Sequence, residues 1–256
     1  MSKEARYGLL YSEYEFSPYL RVPFEKFALV VVCFPLLAFV FCIGYSVLFN
    51  FESATYTHCQ VYNMLPSISA AIGNFSPQRE IWQGAIAIHA VPRFYVAFEY
   101  LHHHYGVLFP QDLWIGQIAF FLNIIENVAL IILSFFTSSK FYAVHEKAFI
   151  TFILVSEMYM ILTCILQSRY KKKSRVSLKW KKRFLVTNIL FLIAAVYFFM
   201  RHNSLCEPYV PTIYTLFALS EYIVVLSNMA FHLTAYFDFE NKDLVVYKHG
   251  VALTER

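Results

Sequence analysis

Long apolar runs, broken by short polar and basic stretches, set the pattern of this chain. Six runs approach or exceed the about 20 residues needed to cross a bilayer hydrocarbon core: 27–49, 81–101, 113–136, 148–167, 184–200 and 212–237. The apolar character wraps the whole circumference instead of one stripe, as expected of helices buried in lipid. Backbone in lipid is satisfied only by helices or closed barrels. Runs this continuous are not the ten-residue alternating strands of a barrel. The pattern predicts an all-α fold, a polytopic membrane helix bundle with six transmembrane helices. The second and sixth runs carry ionisable residues and are the weakest of the six.

Composition supports this class and excludes others. The 256 residues are 59% hydrophobic and 15% charged, with a mean hydropathy of +0.51. Soluble domains are nearer 45–50% apolar and 25% charged. With 27 Phe and 19 Tyr, the chain has too much apolar surface to stay disordered. A net charge of +4 is too mild to suggest a nucleic-acid partner.

The positions of the basic residues matter more than their sum. With six spans, 16 Lys and Arg fall on the side of the termini and four on the other, Arg93 lying inside a span. This bias predicts that both termini are cytosolic. The chain then divides into a cytosolic segment 1–26, a six-helix transmembrane domain 27–237 and a cytosolic tail 238–256. The basic stretch 169–183 reads first as a topology anchor, with headgroup contact as the alternative. The first apolar run is too long for a signal-peptide core and reads as an uncleaved span. Cys59 and Cys206 fall in the two exoplasmic loops, where an oxidising lumen allows a disulfide. Asn74-Phe75-Ser76 is a potential glycosylation site in the first of them.

Polar groups inside spans are expensive and usually mark a site. At about 1.5 Å per residue, His89, Glu126 and Glu221 fall near one level, with Arg93 one turn below His89 on the same face. This predicts a buried cluster of His89 and Arg93 against Glu126 and Glu221, with Asn123, Asn127 and Asn228 supplying hydrogen bonds. It reads either as a substrate or catalytic pocket or as polar glue between helices. A second group, His58, Arg79, His145, Glu146, His202, Asn203 and Glu207, falls at the exoplasmic rim and suits an anionic or sugar headgroup. Sharper chemistries fail. The chain has no G-x-S-x-G elbow, H-E-x-x-H pair or phosphate-binding glycine loop. The triplet His102-His103-His104 points three ways on a helix. His232 is predicted to lie about 15 Å from the level of His89, which argues against a zinc pair. No metal or cofactor is expected.

Several stretches together bring a family into view: THCQVYNMLPSISAAIG (57–73), HAVPRF (89–94), NIIENVAL (123–130), HEKAF (145–149), RHNSLCE (201–207), EYIVVLSNMAFH (221–232) and FENKDL (239–244). In these the chain resembles the post-GPI-attachment-to-proteins factor 2 family, in the small six-pass group that includes the DRAM-like proteins. The resemblance covers about residues 22–244. It implies a multi-pass protein of the Golgi membrane, or also of the endoplasmic reticulum, that acts in GPI-anchor lipid remodelling. The implied step is reacylation of a lyso-GPI intermediate with a saturated fatty acid. The implied partners are GPI-anchored proteins, their lyso-GPI lipid and membrane lipids, with the acyl donor unspecified. An acyltransferase would use His89 or His145 as general base and Arg93 or Asn127 to steady the oxyanion, with Glu126 beside them. A non-enzymatic protein would present lyso-GPI to a separate acyltransferase. A transporter is disfavoured, because inverted repeats and broken helix pairs are missing.

Overall fold

A computed structural model describes residues 18–170, 175–206, 212–247 and 250–255. Strand β1 (Leu20–Pro23) leads directly into α1 (Phe24–Phe49). Two short helices follow, α2 (Phe51–Thr55) and α3 (Ile68–Gly73), then the long α4 (Gln78–Val107). A 3-10 turn (Pro110–Asp112) opens α5 (Leu113–Phe135). Then come α6 (Tyr142–Ser168), α7 (Arg175–Leu205), α8 (Thr212–Leu233) and a single turn, α9 (Ala235–Asp238). The strands β2 (Lys242–Tyr247) and β3 (Gly250–Glu255) close the chain.

The helices sort their side chains by size as much as by polarity. In α1 the buried stripe includes Ala28, Val31, Val32, Pro35, Ala38, Phe39, Cys42 and Ser46. Leu29, Val30, Leu37, Val40 and Phe41 are exposed. Small residues let backbones approach closely where lipid removes the hydrophobic drive between helices. In α4 the stripe is Trp82, Ile86, His89, Ala90, Arg93, Ala97 and Tyr100, at helical spacing.

Among the described residues, five helical segments are long and apolar enough to cross a membrane: Phe24–Phe49, Pro110–Phe135, Tyr142–Ser168, Arg175–Leu205 and Ile213–Asp238. α4 matches them in length, at 30 residues, but its Arg93, Glu99 and four histidines lower its apolarity. The helices pack most extensively as α7 on α8 and α5 on α6, and α4 packs about equally on α1 and α5.

The all-α bundle carries one small addition. β1, β2 and β3 form an antiparallel sheet in that order, with Leu20 opposite Val246 and Leu244 opposite Leu253. This sheet ties residues from both flanks to one end of the bundle. Short apolar runs at 244–247 and 251–253, rich in β-branched residues, are strand-like but too short to register beside 20-residue spans.

The opposite end is closed by the connection between α2 and α3, which dips back into the bundle. Met64 donates its backbone N–H to Thr215 Oγ1 at 2.9 Å, and Ile68 donates its own to Glu221 Oε2 at 2.8 Å. Tyr222 donates to the Pro66 carbonyl. A disulfide between Cys59 and Cys206 pins this connection to the end of α7, as the loop positions of the two cysteines suggest. The bond closes a loop of 147 residues. Cys59→Ser is expected to lower stability by about 2–4 kcal/mol, read as an earlier unfolding transition in detergent. An unchanged transition would mean that the packed connection holds without its tether.

Three hydrophobic clusters hold the bundle. One joins Ala38, Phe39 and Cys42 of α1 to Trp82, Ile86, Ala218 and Tyr222 near the disulfide end. One joins Tyr159, Met160 and Cys164 of α6 to Leu108, Ala119 and Phe231. The third joins Phe24, Ala28, Tyr100, Ala235 and Phe239 beside the sheet. None of the three includes a residue of α6 before Tyr159 or of α7 after Leu185, which leaves the disulfide-end half open beside those helices.

Candidate functional site

The predicted core of the polar cluster forms. Glu126 is fully buried, and its Oε1 lies 3.1 Å from Arg93 Nη2, 3.2 Å from Asn228 Nδ2 and 3.0 Å from His232 Nε2. Arg93 Nη2 is also 2.7 Å from His232 Nε2. That nitrogen can accept from Arg93 or donate to Glu126, but not both at once. Tyr159 stacks flat on the His232 ring, with centroids 5.3 Å apart and planes 7° from parallel. Asn228 Nδ2 also reaches Ser156 Oγ. α4, α5, α6 and α8 are thereby linked around one carboxylate. Asn127 donates to Asn123 at 3.2 Å within α5.

Two members are displaced from the predicted cluster and one is gained. His89 turns its Nδ1 to the Val31 carbonyl of α1 at 2.7 Å. Glu221 receives the Ile68 N–H at the start of α3, where a helix favours negative charge. His232, which the depth estimate set apart, completes the cluster instead. The estimate placed the starts of α4 and α8 at one level. In the structure Glu221 packs on the dipping connection, and His232 is eleven residues further along, about 16 Å. That carries His232, and not Glu221, to the level of Glu126.

Above this cluster, in the half that the hydrophobic clusters leave open, lies a cavity of about 250 Å³. His89, Arg93 and Asn228 stand at its deep end. Ser134, Thr137 and His145 stand at the disulfide end, and Glu221 lies on its wall. The rest of the lining is mostly apolar, including Ile86, Leu130, Phe152, Leu192, Ala195, Phe199 and Val224. An apolar pocket with a few convergent polar groups is the usual form of a ligand site. Glu126, Asn123 and Asn127 are not part of its lining.

Two histidines meet the cavity in the same state. Nδ1 of His89 faces the Val31 carbonyl, and Nδ1 of His145 faces the Phe136 carbonyl at 2.8 Å. A carbonyl oxygen only accepts, so each Nδ1 carries hydrogen, which leaves Nε2 as the position for a lone pair on the uncharged ring. This is how a general base is oriented. Arg93 Nε is buried without a hydrogen-bond partner.

The residues of the predicted rim have different surroundings. His145 joins the cavity. Arg79 pairs with its neighbour Glu80 at 2.6 Å. Glu146 and Asn203 are exposed. His202 is buried, with Nε2 3.1 Å from Thr57 Oγ1 and its ring 5.7 Å from that of His58. Glu207 lies outside the described residues. His58, Cys59 and Cys206 converge with the spacing of a metal set. Their sulfurs are joined to each other, however, and a metal needs thiolates.

A further buried network escaped prediction from sequence. Lys181 pairs with Asp238, and both side chains are at most 4% exposed. Asp238 also accepts from Tyr100 and from Gln167, each at 2.7 Å. Lys181 donates to Ser177 at 3.0 Å. The network joins α4, α6, α7 and α9 near the sheet. Lys181 was hidden among the basic residues of 169–183, and only its i, i+4 relation to Ser177 hinted at a buried face.

Residues 23–242 match the family described as Frag1/DRAM/Sfk1/Cwh43P N-terminal domain. A Drosophila pseudoobscura pseudoobscura protein named post-GPI attachment to proteins factor 2 is 44% identical, over 93% of this chain and 94% of its own. A Xenopus tropicalis protein named acyltransferase PGAP2 is 44% identical, over 89% and 92%. A Caenorhabditis elegans post-GPI attachment to proteins factor 2 is 36% identical, over 89% of each chain. No solved structure matches significantly.

Proposed function

The chain belongs to the Frag1/DRAM/Sfk1/Cwh43P N-terminal domain family, and from that premise we propose that it acts in GPI-anchor lipid remodelling, reacylating a lyso-GPI intermediate with a saturated fatty acid. The names of its relatives support the pathway, and that of the Xenopus tropicalis protein includes the word acyltransferase. The observation that carries the reading is the cavity, which links His145 at one end to His89 and Arg93 at the other through apolar walls.

In this reading α4 is the sixth span, with its charged stripe turned inward. The basic bias then makes both termini cytosolic and the disulfide end luminal. The domains are a cytosolic segment 1–26, the transmembrane unit 27–237 and a cytosolic tail 238–256, in a Golgi membrane. GPI-anchored proteins deliver their lyso-lipid to the luminal mouth. His145 takes the proton as the lipid hydroxyl attacks the acyl carbonyl of the donor. A new ester forms, the donor's acyl bond breaks, and its leaving group takes up the proton. His89 and Arg93 are the corresponding base and oxyanion partner at the deep end. Arg79, Glu146, His202 and Asn203 lie on the side that receives the headgroup.

A second reading is a non-enzymatic protein that presents lyso-GPI to a separate acyltransferase. The mutual pairing of Arg93, Glu126 and His232 favours it, because those groups are occupied with one another. The test is reconstitution of the purified chain in vesicles with lyso-GPI and radiolabelled acyl-CoA or a labelled phospholipid donor. Labelled two-chain GPI is the expected product. No product from the pure chain, together with an active acyltransferase that copurifies from cells, would establish the second reading.

A further inference from the structure

We propose that the cavity holds one acyl chain of a lipid in the disulfide-side leaflet, and that the chain enters sideways from the bilayer between α6 and α7. This rests on the reading of the protein as a lipid-handling membrane bundle and adds the route and the stoichiometry.

The opening is visible in the exposure of the lining residues. Phe149 of α6 and Val196 and Phe199 of α7 line the cavity, yet they are 38%, 55% and 43% exposed. A side chain that faces both inside and outside forms the lip of a gap. Ile86 and Ala195 also line the cavity but are only 1% and 7% exposed, so they form its inner wall. The gap falls where the hydrophobic clusters leave α6 and α7 unjoined. Near the sheet, Phe184 and Leu185 of α7 close against the α6 cluster.

Depth identifies the occupant. Trp82 bonds Ser134 at the cavity's outer end, and Arg93 stands at its deep end, eleven residues along α4. That is about 16 Å, roughly half of the ~30 Å hydrocarbon core and so the depth of one leaflet. An apolar cavity open to lipid at this depth has hydrocarbon as its solvent, and leaving it empty forfeits the contacts of its walls. The charged group at Arg93 ends the apolar space and stops the chain near the midplane. The cavity's volume, about 250 Å³, fits a small-molecule segment and not a partner helix. The lipid's remaining chain stays outside along α7, where Leu190 and Ile193 face outward.

The experiment uses the full chain in phosphatidylcholine vesicles that contain a lipid with a photoreactive diazirine midway along one acyl chain. Adducts are mapped by mass spectrometry after illumination. The expected result is labelling of Ile86 as well as of outward-facing Leu190 and Ile193. Ala195→Phe fills the inner wall and is expected to cut the Ile86 adduct at least tenfold, with Leu190 unchanged. Val196→Trp, at the exposed lip, is expected to do the same and serves if Ala195→Phe fails to fold. Adducts confined to Leu190 and Ile193 in the unsubstituted chain would overturn the chain site. An Ile86 adduct that persists through both substitutions would overturn sideways access. No lyso-GPI acceptor is present, so a chain without turnover can still show the adduct, and an active chain can lack it.

Discussion

Glu126→Leu is expected to destabilise the protein by about 3–5 kcal/mol, the usual cost of removing one partner from a buried charge pair. Glu126 is the acceptor on which Arg93, Asn228 and His232 converge. Its loss leaves the Arg93 guanidinium buried with His232 as its remaining polar neighbour. Interhelical hydrogen bonds in membranes are individually weak, about 0.6 kcal/mol on average, so most of the effect comes from the stranded charge. The partner substitution makes the test decisive. Arg93→Leu combined with Glu126→Leu removes both charges, and such replacements are often neutral or stabilising. The double variant is therefore expected to regain most of the stability lost by Glu126→Leu, read by thermal unfolding in detergent. Its activity then separates two roles. A stable double variant without lipid turnover places Arg93 in the chemistry at the deep end of the cavity. A stable double variant with full turnover reduces the ion pair to helix glue.

The sequence made the helices legible, and the polar residues less so. Apolar runs fix helix length directly, because the bilayer sets one thickness for all of them. Even α4, the least apolar, announces its inner face through the spacing of Trp82, Ile86, His89 and Arg93. The pairing of Arg93 with Glu126 followed from counting inward from the ends of two helices. The same count misplaced Glu221 and His232, because it took the start of α8 as the membrane edge, whereas the connection around Ile68 descends into the bundle beside it. Nothing local in residues 60–68 reveals that descent. It is a tertiary fact, set by Tyr222 and Glu221 offering partners to Pro66 and Ile68. Lys181 was illegible for another reason. A lysine among eight other basic residues looks solvated, and its burial depends on Asp238, 57 positions away. The small sheet stayed hidden because its signal is a few alternating residues next to much longer apolar runs.

His145→Ala is expected to lower acyl transfer by about 10²- to 10⁴-fold, the usual contribution of a general base, while changing stability by only about 1 kcal/mol. The stability estimate follows from the structure. The His145 ring is partly exposed and makes one hydrogen bond, to the Phe136 carbonyl, and such a bond contributes about 0.5–1.5 kcal/mol. The catalytic estimate follows from position. The hydroxyl of a lyso-lipid sits at the headgroup level, and of the two oriented histidines only His145 stands at the mouth of the cavity, among Thr137 and Ser134. His89 is oriented in the same way but lies at the deep end beside Arg93, where a headgroup-level hydroxyl reaches only if the lipid is drawn inward. Turnover of the reconstituted chain is therefore expected to fall more steeply for His145→Ala than for His89→Ala. The reverse order would move the reaction to the deep end and make Arg93 its oxyanion partner. Full turnover in the combined His89→Ala, His145→Ala variant would remove both histidines from the chemistry.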